Sequence, residues 1–190
     1  MSDTPLKIEY DTHPRVKHLI DRLKYTMEGI SLGFDSYGEP NVKGPGLYFA
    51  IVADISVSDF ADVMGANYWP SRGRDPVTDP ETFHEAAGVA AHDRDGATVV
   101  SVDGLIKRQF VRFRSLTQTD RETAGLPDGI GYEPWMGSRH MSALDTSVRE
   151  PVVATLTLSE ETGRVSLFRD GRVDTTVRSE LGGEWRADGE

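Results

Sequence analysis

Gly44-Pro45-Gly46-Leu47-Tyr48-Phe49-Ala50-Ile51-Val52 is the stretch on which the reading of this chain turns. Six consecutive apolar residues leave a glycine-proline loop, too short for a buried helix and suited to a strand covered on both faces. Upstream, Val16, Leu19, Ile20, Leu23 and Met27 recur at helical spacing and form one apolar stripe. The helix start signal lies over Asp11 to Pro14, with proline tolerated in the first turn, and Gly29 marks the expected end. Downstream, 67–79 is rich in turn residues and reads as a loop. Asp79-Pro80 then opens a second helix with Phe83, Ala86, Ala87 and Ala90 on one face.

The later chain alternates in the same way. Residues 97–102 and 105–113 are strand candidates joined by Asp103-Gly104, a hairpin turn. Residues 117–137 are polar and without a period. Ser138 is a candidate cap for a helix lined by Met141, Leu144 and Val148, which must stop before Pro151. Residues 152–158 and 164–168 read as two more strands, linked by Ser159-Glu160-Glu161-Thr162-Gly163, and the residues after Glu180 read as a tail. This order predicts an α/β fold, a single domain with a central mixed β-sheet flanked by helices.

Composition narrows the function classes. At 190 residues the chain supports one well-buried domain. It has no cysteine, which excludes disulfides and thiolate chemistry. No apolar run reaches the roughly 20 residues of a membrane span, and the first residues lack an apolar leader, so a cytoplasmic location is expected. A net charge of −10 opposes binding to a nucleic-acid backbone. The only lysines are Lys7, Lys17, Lys24, Lys43 and Lys107, amid abundant aspartate. Such a composition resembles halophilic proteins, whose acidic surfaces stay hydrated when salt screens charge over about 3 Å.

Several short segments carry chemistry. Asp95-Gly96-Ala97 falls between a helix and a strand, where a carboxylate can hold a divalent metal and small residues let a nucleotide approach the backbone. Other Asp-Gly pairs, at Asp103, Asp128, Asp170 and Asp188, are turns. Gly137-Ser138-Arg139-His140 enters a helix N-terminus, where backbone N–H groups and the dipole favour an anion. An arginine there opposes the dipole unless something negative sits beside it; the alternative is a capped surface helix with a solvated arginine. Strand alternation carried past 158 places Ser159 and Glu161 on one face and Glu160 on the other. Arg108, Arg112 and Arg114 form a positive stripe that either meets phosphates or makes surface ion pairs.

Taken in order, Asp95-Gly96-Ala97, Ser138-Arg139-His140 and the apolar run into Ser159-Glu160-Glu161-Thr162-Gly163 resemble the diadenylate cyclase domain family, most of all its small archaeal members. The resemblance covers roughly residues 44–172. It divides the chain into an N-terminal helical arm (1–43), a cyclase domain (44–175) and a C-terminal tail (176–190). It implies that two protomers meet face to face, each holding one ATP, and condense them into cyclic di-AMP and two pyrophosphates. By the same resemblance Asp95 binds a divalent metal (Mn²⁺ or Mg²⁺) and helps deprotonate the attacking hydroxyl, and Arg139 is the second catalytic residue. Gly96, Ala97, Gly137, Ser138, Arg139, His140 and Ser159 bind ATP, and Glu161 is the second metal ligand. The implied partners are ATP and a second copy of the chain in a homodimer or larger homo-oligomer, with no nucleic acid and no membrane. One position departs from the family: many members read Arg-His-Arg where this chain has Arg139-His140-Met141. That departure keeps open a cyclase-like module that binds ATP or cyclic di-AMP without turnover.

Overall fold

The apolar strand does lie at the heart of a sheet. The computed structural model describes residues 13–54, 56–126 and 128–183, so Asp11 and the last residues of the expected tail fall outside it. Strand β1 (Leu47–Val52) is buried along its whole length. It pairs parallel with β3 (Thr98–Ser101) and antiparallel with β5 (Val152–Leu158). Beyond β5 lie β6 (Val165–Arg169) and β7 (Arg172–Thr176), completing a five-stranded mixed sheet in the order β3-β1-β5-β6-β7.

Alternation along β1 sorts its side chains into two cores. Leu47, Phe49 and Ile51 join the core beneath α1 (Pro14–Leu32) and α2 (Pro80–Asp93), while Tyr48, Ala50 and Val52 face α4 (Ser138–Ser147). The result is a three-layer α/β/α domain, as the element order predicts. The α1 stripe is fully used: Val16, Leu19, Ile20, Leu23 and Met27 are all buried in the same core as the sheet. Gly29 does not end this helix. A Cβ there would come within 2.9 Å of His84 on α2, so the glycine permits close helix approach, and α1 runs on to Leu32 because Ile30 and Ser31 are also buried. Trp69 anchors the segment expected to be a loop, stacking 5.5 Å from Phe83 and donating Nε1–H to the Gly73 carbonyl.

Strand β2 (Ala61–Tyr68) pairs antiparallel with β4 (Gln109–Phe113) in a separate ribbon. The Asp103-Gly104 turn does form, with Ser101 N–H donating to Leu105 O and Lys107 N–H to Val99 O. From Gln109 the chain pairs with β2, while Val111 still exchanges both backbone hydrogen bonds with Ala97 just before β3, so the strand expected over 105–113 is observed as β4, 109–113. A short helix, α3 (Gln118–Thr123), opens with a Thr117–Asp120 capping box inside the stretch that has no sequence period. Among the described residues no helix is long and apolar enough to cross a membrane.

Candidate functional site

Three chain segments distant in sequence reach one open cleft of about 820 Å³ on the α4 face of the sheet. Asp95, Gly96 and Ala97, which link α2 to β3, form one wall. Gly137, Ser138, Arg139 and His140 form the second, and Ser159 and Glu161 the third. The three motif segments therefore line the same space, as do Arg112 and Arg114 of the positive stripe, whereas Arg108 does not.

Topology explains the convergence. β3, β1 and β5 are neighbours, so the turn before β3 and the turn after β5 open at one end of the sheet. α4 crosses onto β5, where Thr155 Oγ1 donates to the Ala143 carbonyl at 2.8 Å. Its N-terminus consequently sits over that same end. Ser138 is not the cap expected of it: Gly137 holds the N-cap position without a side-chain hydrogen bond, and Ser138 is the first helical residue. A helix start with no capping side chain leaves its first N–H groups free for an anion.

Arg139 occupies the centre of the cleft. Its Nη2 lies 3.3 Å from a Glu160 carboxylate oxygen and 3.9 Å from Asp95 Oδ1, and Lys43 Nζ approaches Glu160 at 3.1 Å. Gly46 makes room for this arrangement, since a Cβ there would overlap the Arg139 Nη1 and crowd Glu160. Asp95 leaves its side chain 82% exposed while Oδ1 accepts the Gly96 N–H at 2.8 Å. Gly96 itself needs its left-handed conformation (φ +97°), and a Cβ would strike Met64 Sδ.

Strand alternation does not continue to Glu161. β5 stops at Leu158, and Ser159–Gly163 is a turn in which Ser159 Oγ accepts the N–H groups of Glu161 and Thr162. Glu161 is exposed at the cleft rim, and Glu160 is the carboxylate that meets Arg139. His140 is buried with Nε2 unpartnered, its ring edge-on to Trp135 at 5.1 Å. Burial, and then the positive charge of Arg139 and Arg164, pulls the imidazole from its ordinary 6.5 down to about 4. It is therefore neutral near pH 7.

Sequence reasoning missed other cleft residues. Lys43, Trp135 and Arg164 line it, with the Arg164 guanidinium 4.5 Å above the Trp135 ring. Tyr132 donates to Asp145 Oδ1 at 2.8 Å, and burial holds that carboxyl above the usual carboxylate range. Tyr132 and Trp135 are single residues in a segment without periodicity, and Lys43, Asp145 and Arg164 are single polar residues that an apolar pattern does not mark.

Two solved structures resemble this chain in fold. A hypothetical membrane spanning protein from Bacillus cereus superposes with a TM-score of 0.53 at 16% identity, over 82% of this chain and 62% of the other. This chain thus spans less than two thirds of that protein's length. A double-cysteine variant of DacA from Staphylococcus aureus superposes with a TM-score of 0.50, also at 16% identity, over 90% of this chain and 95% of the other. At that identity the likeness is one of fold. No protein-family model and no curated protein matches the chain.

Among the described residues no group of three or more His, Asp or Glu side chains converges as a metal cage. Asp95 and Glu161 both line the cleft; two carboxylates would suit only a hard ion that keeps its waters and binds mainly through substrate phosphates.

Proposed function

We propose that this protein is a diadenylate cyclase that condenses two ATP into cyclic di-AMP and two pyrophosphates. The observation that carries this reading is the convergence of three ordered motifs on one cleft around Arg139. The fold likeness to DacA, a diadenylate cyclase, supports it. In this reading the triphosphate lies along the α4 N-terminus, with the N–H groups after Gly137 and the Arg139 guanidinium as donors. Gly96 and Ala97 admit the nucleoside against the backbone, and Ser159 presents its hydroxyl to a phosphate from the end of β5. Asp95 and Glu161 would hold Mn²⁺ or Mg²⁺, which when bound neutralises charge on the phosphates.

In this reading each open cleft holds one nucleotide, and a second protomer presents the other. Each 3′-oxygen forms a bond to the α-phosphorus of the opposite ATP as the bond from that phosphorus to the bridging oxygen breaks. Pyrophosphate leaves with the electron pair, and the hydroxyl proton passes to Asp95. Such transfer relies on positioning and charge stabilisation, which arginine and helix amides supply without a protein nucleophile.

Met141, which lines the cleft where a further arginine is expected, favours a second reading in which the module binds ATP without turnover. Incubation with ATP and Mn²⁺ or Mg²⁺ at high KCl, with detection of cyclic di-AMP, separates the two. ATP binding without product at any salt or metal would refute the enzyme. Asp95→Ala is expected to abolish product while leaving the thermal midpoint nearly unchanged, because the side chain is largely exposed. Retained product would remove Asp95 from the mechanism.

A further inference from the structure

The charge of Arg139 is shared between Asp95 and Glu160, so the cleft's uncompensated positive charge has to come from elsewhere. The arginines of the β4 strand do not provide it in equal measure. Arg108 lies over the Tyr68 ring, and Arg114 is committed to Asp62, with a nitrogen–oxygen contact of 3.0 Å from its Nε. Arg112 lines the cleft from the exposed ribbon.

Among the described residues Arg112 and Arg164 both line the cleft without an ion pair, but only Arg164 is held on an aromatic ring of the cleft wall. It lines the cleft, and among the described residues no carboxylate lies within ion-pair distance of it, in a chain whose net charge is −10. Its backbone is fixed by the turn that carries Ser159: its carbonyl accepts the Ser159 N–H at 2.9 Å, and its own N–H donates to Thr162 Oγ1 at 3.4 Å. Its guanidinium carbon sits 4.5 Å from the centre of the Trp135 ring, and that ring packs edge-on against His140 in the first turn of α4. A guanidinium stacked on an aromatic face has its flat side covered, yet its five N–H donors point outward in the plane and stay free for phosphate oxygens.

We infer that Arg164, oriented by Trp135, is a second anion-binding guanidinium of the cleft and grips the polyphosphate of a bound nucleoside triphosphate together with the α4 N-terminus. Arg164 is the binding residue and Trp135 the positioning residue. The inference rests on the nucleotide reading of the cleft proposed above. It also gives this chain a replacement for the positive charge absent at Met141, delivered from the strand side of the cleft instead of from the helix.

The test is equilibrium titration of the intact protein with ATP, inorganic tripolyphosphate and adenosine, comparing wild type with Arg164→Gln, Trp135→Leu and the double variant. Arg164→Gln is expected to raise the Kd for both ATP and tripolyphosphate about tenfold, the effect of one charge-assisted contact, and to leave adenosine unchanged. Trp135→Leu should weaken the same two ligands less, and the double variant should bind no worse than Arg164→Gln, since Trp135 acts through Arg164. Equal ATP and tripolyphosphate affinities in wild type and a folded Arg164→Gln would overturn the role of Arg164 alone. A loss for adenosine as large as that for ATP would show that the pair reads the base, and would overturn it too. A wild type that binds neither ATP nor tripolyphosphate would bring down the nucleotide reading and this inference with it. If Arg164→Gln does not fold, Arg164→Lys carries the test: it keeps the charge and loses the planar fork, so tripolyphosphate binding should weaken about threefold. Unchanged binding in that variant would refute the assignment.

Discussion

Acid should unfold this protein in a window set by one histidine. His140 is 6% exposed, lies between Arg139 and Arg164, and has no partner for Nε2. Its folded value is about 4, against an ordinary 6.5, chiefly because burial penalises the charged ring. The folded state therefore resists the proton that the unfolded chain accepts. As pH falls, the unfolded state gains protons first and stability is lost, beginning near 6.5 and ending near 4, where the native ring is charged as well. Each tenfold difference in proton affinity is worth about 1.4 kcal/mol, so the full loss is about 3 kcal/mol. That is a large part of the 5–15 kcal/mol typical of a domain.

The measurement is urea unfolding of wild type and His140→Gln across pH 7.5 to 4. Buried or hydrogen-bonded carboxyl groups such as Asp75, Asp120 and Asp145 titrate in both proteins and cancel in the difference. Wild type should lose about 3 kcal/mol relative to the variant over this range. Parallel pH profiles would rule out a depressed His140, because they would mean the imidazole takes up its proton in the folded protein as readily as in the unfolded chain. An anion bound at the α4 N-terminus would favour the imidazolium, so tripolyphosphate should reduce the difference.

Three further outcomes are expected. Gly46→Ala places a Cβ against Arg139 and should displace its guanidinium, cutting cyclic di-AMP synthesis about a hundredfold while circular dichroism stays unchanged; full activity would contradict the crowding. Phe83→Ala removes a fully buried ring packed against Phe49 and Trp69, and chemical denaturation should show a loss of about 3–5 kcal/mol. Raising KCl from about 0.1 M to about 1 M shortens the screening length from about 10 Å to about 3 Å, so the thermal midpoint should rise if self-repulsion of a −10 chain opposes folding; a falling midpoint would contradict the halophilic reading.

The parts of the fold legible in the sequence are those whose burial is one-sided or complete. β1 could be read because nothing else buries six apolar residues in succession, and α1 because its stripe meets the sheet. β2 could not. Five of its eight residues are exposed in the pattern Beeieeie, Gly65 has a positive φ, and its ribbon is held by backbone pairing with β4, so no apolar alternation marks it. β7 hides for a related reason: it is an edge strand with no fully buried residue, and only the Asp170-Gly171 turn announces it. Backbone hydrogen bonding to a neighbour leaves no trace in a hydrophobic pattern.

The site shows the same division between residue type and geometry. The motifs meet at one cleft, yet alternation picked Glu161 where the folded turn offers Glu160 to Arg139. That exchange changes the argument from the helix dipole. An arginine in the first turn of a helix is unfavourable alone, which reads in the sequence as a sign of a bound anion. In the fold, two carboxylates already stand beside Arg139, so its position needs no ligand to explain it. Arg164 has no such compensation: a guanidinium at the same helix end, stacked on Trp135 and without an acid in reach, is the feature that protein contacts leave unexplained. The pull toward an anionic substrate therefore rests less on the arginine inside the recognised motif than on one outside it.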